Sequence, residues 1–462
     1  MIKSAVISRL KTIIALALIF ALSYILEVNW IIPLFLSCIV IYLKSSRLNY
    51  NLLHLSLLYV IIFVVSYAVI KQGWPAFYIP LCALSMLAAI LFSELELSLL
   101  LTLASSISIA YLAHDNYLGI LFLTSGILSG ILVRNGRRRS VIIRSGFLIG
   151  LLQMLMLFLI DRFKISYPAG YLMFMLNGII SGVIVIGVLP IFEYLFGKLT
   201  NISLLELADF NQPLLQRMVM EAPGTYHHSL IVGNLSEVAC AAVGANALLA
   251  RIGAYYHDIG KLQKPEYFSE NQDINANKHD TLTPTMSKLI IMNHVNEGIE
   301  LARKYKLSPR LIDFVSQHHG TSLVYYFYRK ALENLEEDQQ IREEGFRYPG
   351  PKPKTKEAAI VLLADSVEAA TRALKEPAPA NIQDLVQKVI NNKFIDGQLD
   401  ECDLTLKDLD KISAIFIRIL SGICHARITY PEGPKSENSH KKSAKGNSHH
   451  SLDESQGEKS TS

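Results

Sequence analysis

Cysteine is scarce in this sequence, and its spacing excludes two common kinds of site. The chain has 462 residues and no two of its cysteines form a CxxC pair; the five are Cys38, Cys82, Cys240, Cys402 and Cys424. Neither a disulfide framework nor a thiolate zinc site is therefore expected. A strong excess of one charge is also absent, because the formal net charge is only +4. Charge alone therefore indicates no nucleic-acid polymer as a partner.

Charged residues are few in the first two hundred positions, which instead contain long apolar runs. A membrane span needs about 20 mainly apolar residues, with a lower limit of roughly 17. The sequence therefore predicts a polytopic membrane domain over residues 1–199, with eight spans and with seven as an open alternative. No convincing small-residue cleavage site follows the first run, so it is not a simple cleavable signal peptide. The candidate spans are 10–26, 30–44, 52–70, 75–92, 97–114, 116–134, 142–160 and 170–194.

Basic clusters predict the orientation of these spans, because short cytoplasmic loops are enriched in Lys and Arg. With eight spans, the clusters at 3–11, 44–47 and 134–140 fall on one side, together with everything after residue 199. The weaker cluster DRFK at 161–164 falls on the other side. We therefore predict a multi-pass protein of the inner (plasma) membrane, with both termini in the cytoplasm and the lipid bilayer as a partner.

The apolar runs themselves give little sign of transport. Their ionisable residues lie at segment edges, where loop residues are expected, rather than along a pathway through the membrane. Gly178 and Gly182 are four apart in the last run, with Gly187 further along. This spacing indicates close packing between membrane helices. A transporter is therefore an unsupported alternative.

The second half of the chain has the pattern of a soluble helical domain, predicted over residues 200–431. Apolar residues recur at helical spacing, and no alternating strand pattern is present. Asn201 or Ser203 is the expected N-cap of its first helix, and a Pro- and Gly-rich loop is expected over 343–359. Residues 432–462 are poor in apolar side chains and are predicted to be a disordered tail. The predicted fold class is all-α throughout.

Histidines are concentrated in the soluble half. Between positions 227 and 319 there are seven: His227, His228, His257, His279, His294, His318 and His319. His257 is followed by Asp258 inside the largely apolar stretch AYYHDIGKL, and Asp365 lies in the apolar run VLLADSVEAA. A buried carboxylate is costly unless it is paired, and a bound cation would remove that cost. Imidazole and carboxylate ligands without thiolate suit Fe, Mn, Zn or Co.

The number of candidate ligands exceeds what one metal ion needs. It suits two ions that share one carboxylate, and Asp258 is the residue best placed to bridge them. Two metal ions about 3.5–4 Å apart stabilise both the attacking and the leaving oxygen in phosphoryl transfer. The sequence therefore predicts a binuclear site for phosphate-ester chemistry.

The soluble half contains six longer motifs: EAPGTYHHSLIVGNL (221–235), LLARIGAYYHDIGKL (248–262), PEYFSENQ (265–272), QHHGTSLVYYFYRKALE (317–333), FRYPGPKPKTKEAAIVLLADSVEAA (346–370) and DGQLDECDLTL (396–406). Together they resemble the HD-domain metal-dependent phosphohydrolases. The match is closer still to the seven-transmembrane HD family of bacterial cyclic di-AMP phosphodiesterases, and it covers residues 140–431 well. This family commonly has a large extracellular domain after its first span, whereas here the residues EVN join the first two runs directly.

The resemblance implies how the ligands divide between the two ions. One ion would take His228, His257, Asp258 and Asp365, and the other would take Asp258, His294, His318 and His319. His227 competes with His228, but adjacent helical residues point about 100° apart, and His228 takes the family's place before Ser229. The pair His318–His319 needs the helix to end or bend there, and Gly320 makes an ending plausible. His279 is expected to be a loop residue outside the site.

The resemblance also implies the reaction, namely hydrolysis of cyclic di-AMP to the linear dinucleotide pApA by a two-metal-activated hydroxide. Asp258 and Lys261 are the predicted catalytic residues, and Lys261 and Arg372 are the predicted phosphate contacts. Two divalent ions are expected, Fe or Mn before Zn or Co. Two alternatives stay open: another nucleotide substrate, such as cyclic di-GMP or a guanine alarmone, and a membrane sensor with a non-catalytic HD domain. A homo-oligomer is also left open.

Overall fold

A computed structural model describes residues 31–45, 51–162, 168–272, 277–334, 341–374 and 376–425, with scattered positions between 13 and 24. Within these residues the chain is helical, and the only β pairing is an isolated bridge between Leu323 and Arg347. The predicted all-α fold class is confirmed. Most of the predicted span 10–26 and the whole predicted tail 432–462 lie outside the described residues.

The first half forms a bundle of apolar helices. Five of its described helices are long and apolar enough to cross a membrane: Leu52–Lys71, Leu95–Ala113, Asn116–Val133, Arg139–Ile160 and Pro168–Phe196. A shorter apolar helical segment covers Ala76–Phe92. The chain is therefore a multi-pass membrane protein, while the count of eight spans stays a prediction. The helices are α1 (Ile31–Ser45), α2 (Leu52–Lys71), α3 (Leu81–Phe92), α4 (Leu95–Ala113), α5 (Asn116–Val133), α6 (Arg139–Ile160) and α7 (Pro168–Phe196).

Helices α6 and α7 pack closely against each other at glycine residues. A Cβ atom added to Gly178 would lie 2.4 Å from the carbonyl oxygen of Gly146, and one added to Gly182 would lie 3.2 Å from that of Ile142. The same addition at Gly187 meets nothing within 4 Å. The predicted close packing is therefore confirmed at Gly178 and Gly182, whereas Gly187 takes no part in it.

The second half is a separate helical bundle with its own core. One cluster of buried apolar side chains extends from Leu36 to Ile202, and a second extends from Leu204 to Leu420. Five helices of this half have Pro in the first turn, where the missing N–H costs nothing: Pro213–Glu221, Pro223–Ala242, Pro284–Lys304, Pro309–Gln317 and Pro379–Ile395. The helices are α8 (Asn201–Leu207), α9 (Pro213–Glu221), α10 (Pro223–Ala242), α11 (Ala247–Tyr256), α12 (Pro284–Lys304), α13 (Pro309–Gln317), α14 (Tyr325–Glu333), α15 (Lys356–Arg372), α16 (Pro379–Ile395) and α17 (Leu406–His425).

Helix α8 joins the two halves. Its N-cap is Thr200, whose hydroxyl accepts from the Ser203 amide; the expectation of Asn201 or Ser203 is therefore wrong. The Ser203 hydroxyl instead donates to Glu193 of α7, which removes it as a cap. At the other end of α8, the Tyr256 hydroxyl donates to the carbonyl of Leu207 over 2.7 Å. Helix α8 therefore contacts both the last membrane helix and the residue that precedes His257.

Candidate metal centre

Three helices and two helix ends bring the predicted ligands together. His228 lies in α10, His294 in α12 and Asp365 in α15, and all three are buried. The remaining ligands follow the last residues of α11 and α13. The donor atoms form two groups, each with its atoms within 4.8 Å of one another: His228, His257, Asp258 and Asp365, and Asp258, His294, His318 and His319.

The two oxygens of Asp258 face different groups. Oδ2 lies 3.2 Å from Nε2 of His257 and 3.6 Å from Nε2 of His228. Oδ1 lies 3.4 Å from Nε2 of His294 and 3.5 Å from Nε2 of His318. A carboxylate in this arrangement is suited to bridge two cations.

The histidine rings are oriented by hydrogen bonds on the side away from Asp258. Nδ1 of His257 donates to the Ala254 carbonyl over 2.6 Å, and Nδ1 of His294 donates to the Ile291 carbonyl over 2.5 Å. Nδ1 of His318 donates to the Val315 carbonyl over 2.9 Å. A carbonyl only accepts, so each bond fixes the proton on Nδ1 and leaves the Nε2 lone pair facing the cluster. This is the usual support of a metal-binding imidazole.

His228 has a carboxylate in the corresponding position, which the sequence analysis did not identify. Its Nδ1 lies 2.5 Å from Oε2 of Glu368, a buried residue of α15. Nη2 of Arg372 donates to the same oxygen over 2.5 Å. Glu368 follows Asp365 by three residues in the same helix, so both carboxylates point to one face. A second acidic residue inside an otherwise apolar helix was the available signal.

Local backbone features explain why these residues are presented together. Helix α13 ends at Gln317, and Gly320 has φ +54°, so the expectation that the helix ends at His318–His319 is confirmed. Gly260 lies against α12, where an added Cβ would be 1.8 Å from the His294 carbonyl oxygen. Of the pair in α10, His228 is buried in the cluster while His227 is exposed. The turn after Asp258 and the end of α13 therefore both depend on glycine.

The charge states of the donor residues favour the binding of metal cations. Burial favours neutral carboxyls, yet the neighbouring histidines and Lys261 hold the pKa of Asp258 well below its usual range. Burial lowers the pKa of His294 to about 3, which keeps that ring neutral and its Nε2 lone pair free. Among the described atoms, Nε2 of His257 and both oxygens of Asp258 lack a well-aligned hydrogen bond, although Nζ of Lys261 lies 2.8 Å from Oδ2. Orphaned donor atoms of this kind fit bound metal ions.

A cavity of about 530 Å³ opens beside the cluster. This volume lies within the range of roughly 300–1,000 Å³ that is typical of small-molecule sites. The two predicted phosphate contacts, Lys261 and Arg372, both line it, as do His319 and Asp365. Tyr348 also lines it and stacks on His319, with ring centroids 4.3 Å apart. The cavity thus joins the cluster to cationic and aromatic walls.

Lys261 is held between two carboxylates rather than solvated. Its Nζ lies 2.8 Å from Asp258 and 2.7 Å from Oε1 of Glu270. Burial opposes its charge, but these carboxylates raise its pKa above the usual value. Glu270 lies in a three-residue helical turn, Ser269–Asn271, and was not identified from the sequence. His279, expected in a loop outside the site, is buried in a short helical turn where Nε2 donates to the Tyr267 carbonyl over 2.8 Å.

Two family models match this chain. Residues 18–200 match the family described as "7TM receptor with intracellular HD hydrolase", and residues 225–370 match the HD domain. An HD domain implies binding of divalent metal, and the cluster of His and Asp side chains provides donors for it.

Two curated relatives carry the same name. The cyclic-di-AMP phosphodiesterase PgpH of Bacillus subtilis is 43% identical over 426 residues, which cover 87% of this chain and 60% of that protein. PgpH of Listeria monocytogenes is 40% identical over 391 residues, which cover 82% of this chain and 53% of that protein. The chain therefore spans little more than half the length of these relatives.

A crystal structure of the L. monocytogenes PgpH HD domain in complex with cyclic di-AMP is 46% identical and covers 46% of this chain and 99% of that one, with a TM-score of 0.45. The two family matches together cover more than half of the chain and coincide with its membrane and soluble halves. The membrane half is therefore similar to that of seven-transmembrane receptors with an intracellular HD hydrolase, and the soluble half contains an HD domain.

Proposed function

We propose that this protein hydrolyses cyclic di-AMP to the linear dinucleotide pApA. The observation that carries the proposal is the pair of four-residue donor groups that share Asp258 beside the cavity. The substrate is chosen from the relatives, since two proteins that match over most of this chain are named cyclic-di-AMP phosphodiesterases. The cavity's cationic and aromatic walls suit a nucleotide with internal phosphodiesters.

The two donor groups would hold one divalent ion each, with Asp258 between them. Fe or Mn is proposed, because the donors are imidazole and carboxylate without thiolate. When bound, such ions supply a nucleophile by lowering the pKa of water towards about 7, and they neutralise charge on a phosphate. The chain itself orients four imidazoles through hydrogen bonds at their Nδ1 atoms. It also leaves both Asp258 oxygens without a well-aligned hydrogen bond.

Lys261 and Arg372 would bind the substrate phosphates. Asp258 and Glu270 hold the Lys261 ammonium at the cavity wall, where a positive charge stabilises negative charge that develops on a phosphoryl oxygen. Glu368 orients the guanidinium of Arg372, whose fork suits a phosphate.

The soluble half is proposed to lie in the cytoplasm, where a nucleotide substrate is available. The ion pair of Arg139 with Glu206, 2.7 Å long, supports this orientation. It joins the basic segment 134–140 to the same end of the membrane helices as the soluble half, and basic segments favour the cytoplasmic side. The proposed domain boundaries are 1–199 and 200–431.

A substrate panel tests the proposed reaction. The purified full-length chain, loaded with Mn²⁺ or Fe²⁺, should convert cyclic di-AMP to pApA and should lose activity with a chelator. A tenfold preference over cyclic di-GMP requires only about 1.4 kcal/mol in the transition state. Faster turnover of cyclic di-GMP or of a guanine alarmone would show that the substrate assignment is wrong.

Metal analysis tests the binuclear site separately from turnover. Elemental analysis should find close to two ions per chain, and Asp258→Ala should lose both because its carboxylate serves both groups. Asp365→Ala should weaken mainly one ion, because Asp365 belongs to one group. A single ion that survives Asp258→Ala would contradict the two-metal site.

A further inference from the structure

A second cavity lies where the membrane bundle meets the soluble bundle. Its volume is about 1,240 Å³. The end of α7 and the residues after it form one wall, α8 and the start of α9 form another, and the connection between α12 and α13 forms a third. It is separate from the metal centre, since the two cavities share no lining residue.

Two carboxylates and two lysines line this junction cavity, and among the described residues they form no ion pair with one another. Glu193 accepts from the hydroxyls of Thr200 and Ser203, and Glu206 pairs with Arg139 outside the lining. The acidic residues therefore have other partners, and the lysines are left without them.

The lining lysines, Lys198 and Lys306, have no carboxylate within 4.0 Å in the part of the chain that the structure describes. Lys198 is half-buried, with its ammonium 5.9 Å from the ring centroid of Phe92. Burial lowers the pKa of Lys198, and the nearby Arg310 lowers it further. A partly buried cation without a counter-charge is costly, so an anion is expected here.

The position of the cavity identifies the source of that anion. Helix α7 ends at Phe196, two residues before Lys198. On its last turns the side chains of Ile191, Tyr194 and Leu195 are exposed to 63%, 90% and 56%. Exposed apolar and tyrosine side chains at the end of a span mark the boundary between acyl chains and headgroups. Lys198 therefore lies at the depth of lipid headgroups.

Further basic side chains lie in or beside the lining segment 305–309. Arg303, Lys304, Lys306 and Arg310 are all exposed around the connection between α12 and α13. Clusters of Lys and Arg next to the end of a span attract anionic lipids electrostatically. Their charge therefore complements an anionic ligand that enters from the membrane side.

We propose that the junction cavity binds the headgroup of an anionic phospholipid, with Lys198 and Lys306 as its cationic contacts. The phosphate of the headgroup supplies the two lysines with a direct ionic partner, while the acyl chains continue along the exposed apolar side of α7. The site is independent of the metal ions and of the reaction at the metal centre.

Lipid binding by the purified full-length chain tests this site without any measurement of turnover. Native mass spectrometry should show phosphatidylglycerol bound about tenfold more tightly than phosphatidylcholine with the same acyl chains. Lys198→Gln should abolish this preference, and Lys306→Gln should reduce it. Lys388→Gln is the matched control, because Lys388 is an exposed lysine of α16 outside the cavity lining, and it should leave the preference unchanged.

Several results would overturn the proposal. Equal retention of the two lipids would remove the anionic preference, and equal behaviour of Lys198→Gln and Lys388→Gln would remove the residue assignment. Displacement of phosphatidylglycerol by millimolar inorganic phosphate would mean that the cavity takes a free anion rather than a lipid. If Lys198→Gln does not fold, the comparison of Lys306→Gln with Lys388→Gln decides the same question.

Discussion

Nδ1 of His228 and Oε2 of Glu368 lie 2.5 Å apart, buried between α10 and α15. On the opposite edge of the same ring, Nε2 lies 3.1 Å from Oδ1 of Asp365. One imidazole thus connects a supporting carboxylate to a candidate metal ligand. Glu368 acts through His228, so we regard it as a positioning residue.

Glu368→Gln should weaken metal binding at the group that contains His228, because an amide orients the ring less firmly than a carboxylate. Loss of such a supporting partner lowers metal affinity about 10–100-fold. Calorimetric titration with Mn²⁺ should show a lower affinity for one ion and an unchanged affinity for the other. Glu300→Gln, an exposed substitution in α12, is the control. Equal weakening of both ions, or of neither, would contradict the positioning role.

His227 and His228 form a matched pair for testing the donor set. They are adjacent in α10, but only His228 is buried in the cluster. His228→Ala should reduce phosphodiesterase activity by at least about a thousandfold, since removal of a metal ligand removes several kcal/mol of transition-state stabilisation. His227→Ala should stay within about twofold of the unsubstituted protein. A larger loss of activity in His227→Ala than in His228→Ala would show that His227, and not His228, belongs to the site.

Gly178→Val should destabilise the membrane bundle, because its Cβ would overlap the backbone of Gly146 and Gly150 in α6. Overpacking typically costs about 1–3 kcal/mol. Thermal unfolding of the detergent-purified chain should show the midpoint fall by several degrees. Gly187→Val is the control, as Gly187 is exposed in the same helix and its Cβ would meet nothing within 4 Å. Similar midpoints for both variants would show that the α6–α7 contact is not tight.

Alkaline phosphatase fusions test the orientation, because that enzyme is active only outside the cytoplasm. A fusion after residue 200 should be inactive, since the basic segment 134–140 and the soluble half lie at one end of the bundle. A fusion after residue 162, between α6 and α7, should be active because one span separates the two positions. An active fusion at 200 with an inactive one at 162 would reverse the topology.

The helical class and the donor residues were predictable because each leaves a strong local pattern. Long uncharged runs indicate membrane helices, and histidines are rare enough that seven between positions 227 and 319 indicate a shared role. The ending of α13 just before His318 was predictable from Gly320, whose φ is +54°. These features depend on residue type and spacing alone.

The supporting residues were not predictable, because their roles arise from contacts between distant segments. Glu270 lies in a helical turn of only three residues, and only the fold brings it 2.7 Å from Lys261. His279 gave no helical pattern, yet it is buried against Tyr267 and Phe327. The N-cap of α8 was assigned wrongly because Glu193, outside that helix, engages the Ser203 hydroxyl.

The hydrogen bond from Tyr256 to Leu207 determines where the soluble half can be separated from the membrane half. A fragment that begins at residue 200 retains all of α8 and keeps the carbonyl acceptor for Tyr256. A fragment that begins at residue 211 leaves this hydroxyl without that acceptor, at a cost of about 1–3 kcal/mol. The lost hydrogen bond is that of Tyr256, the residue that precedes the donor His257. The shorter fragment should therefore express as a less stable protein with weaker metal retention, although both fragments contain every donor residue.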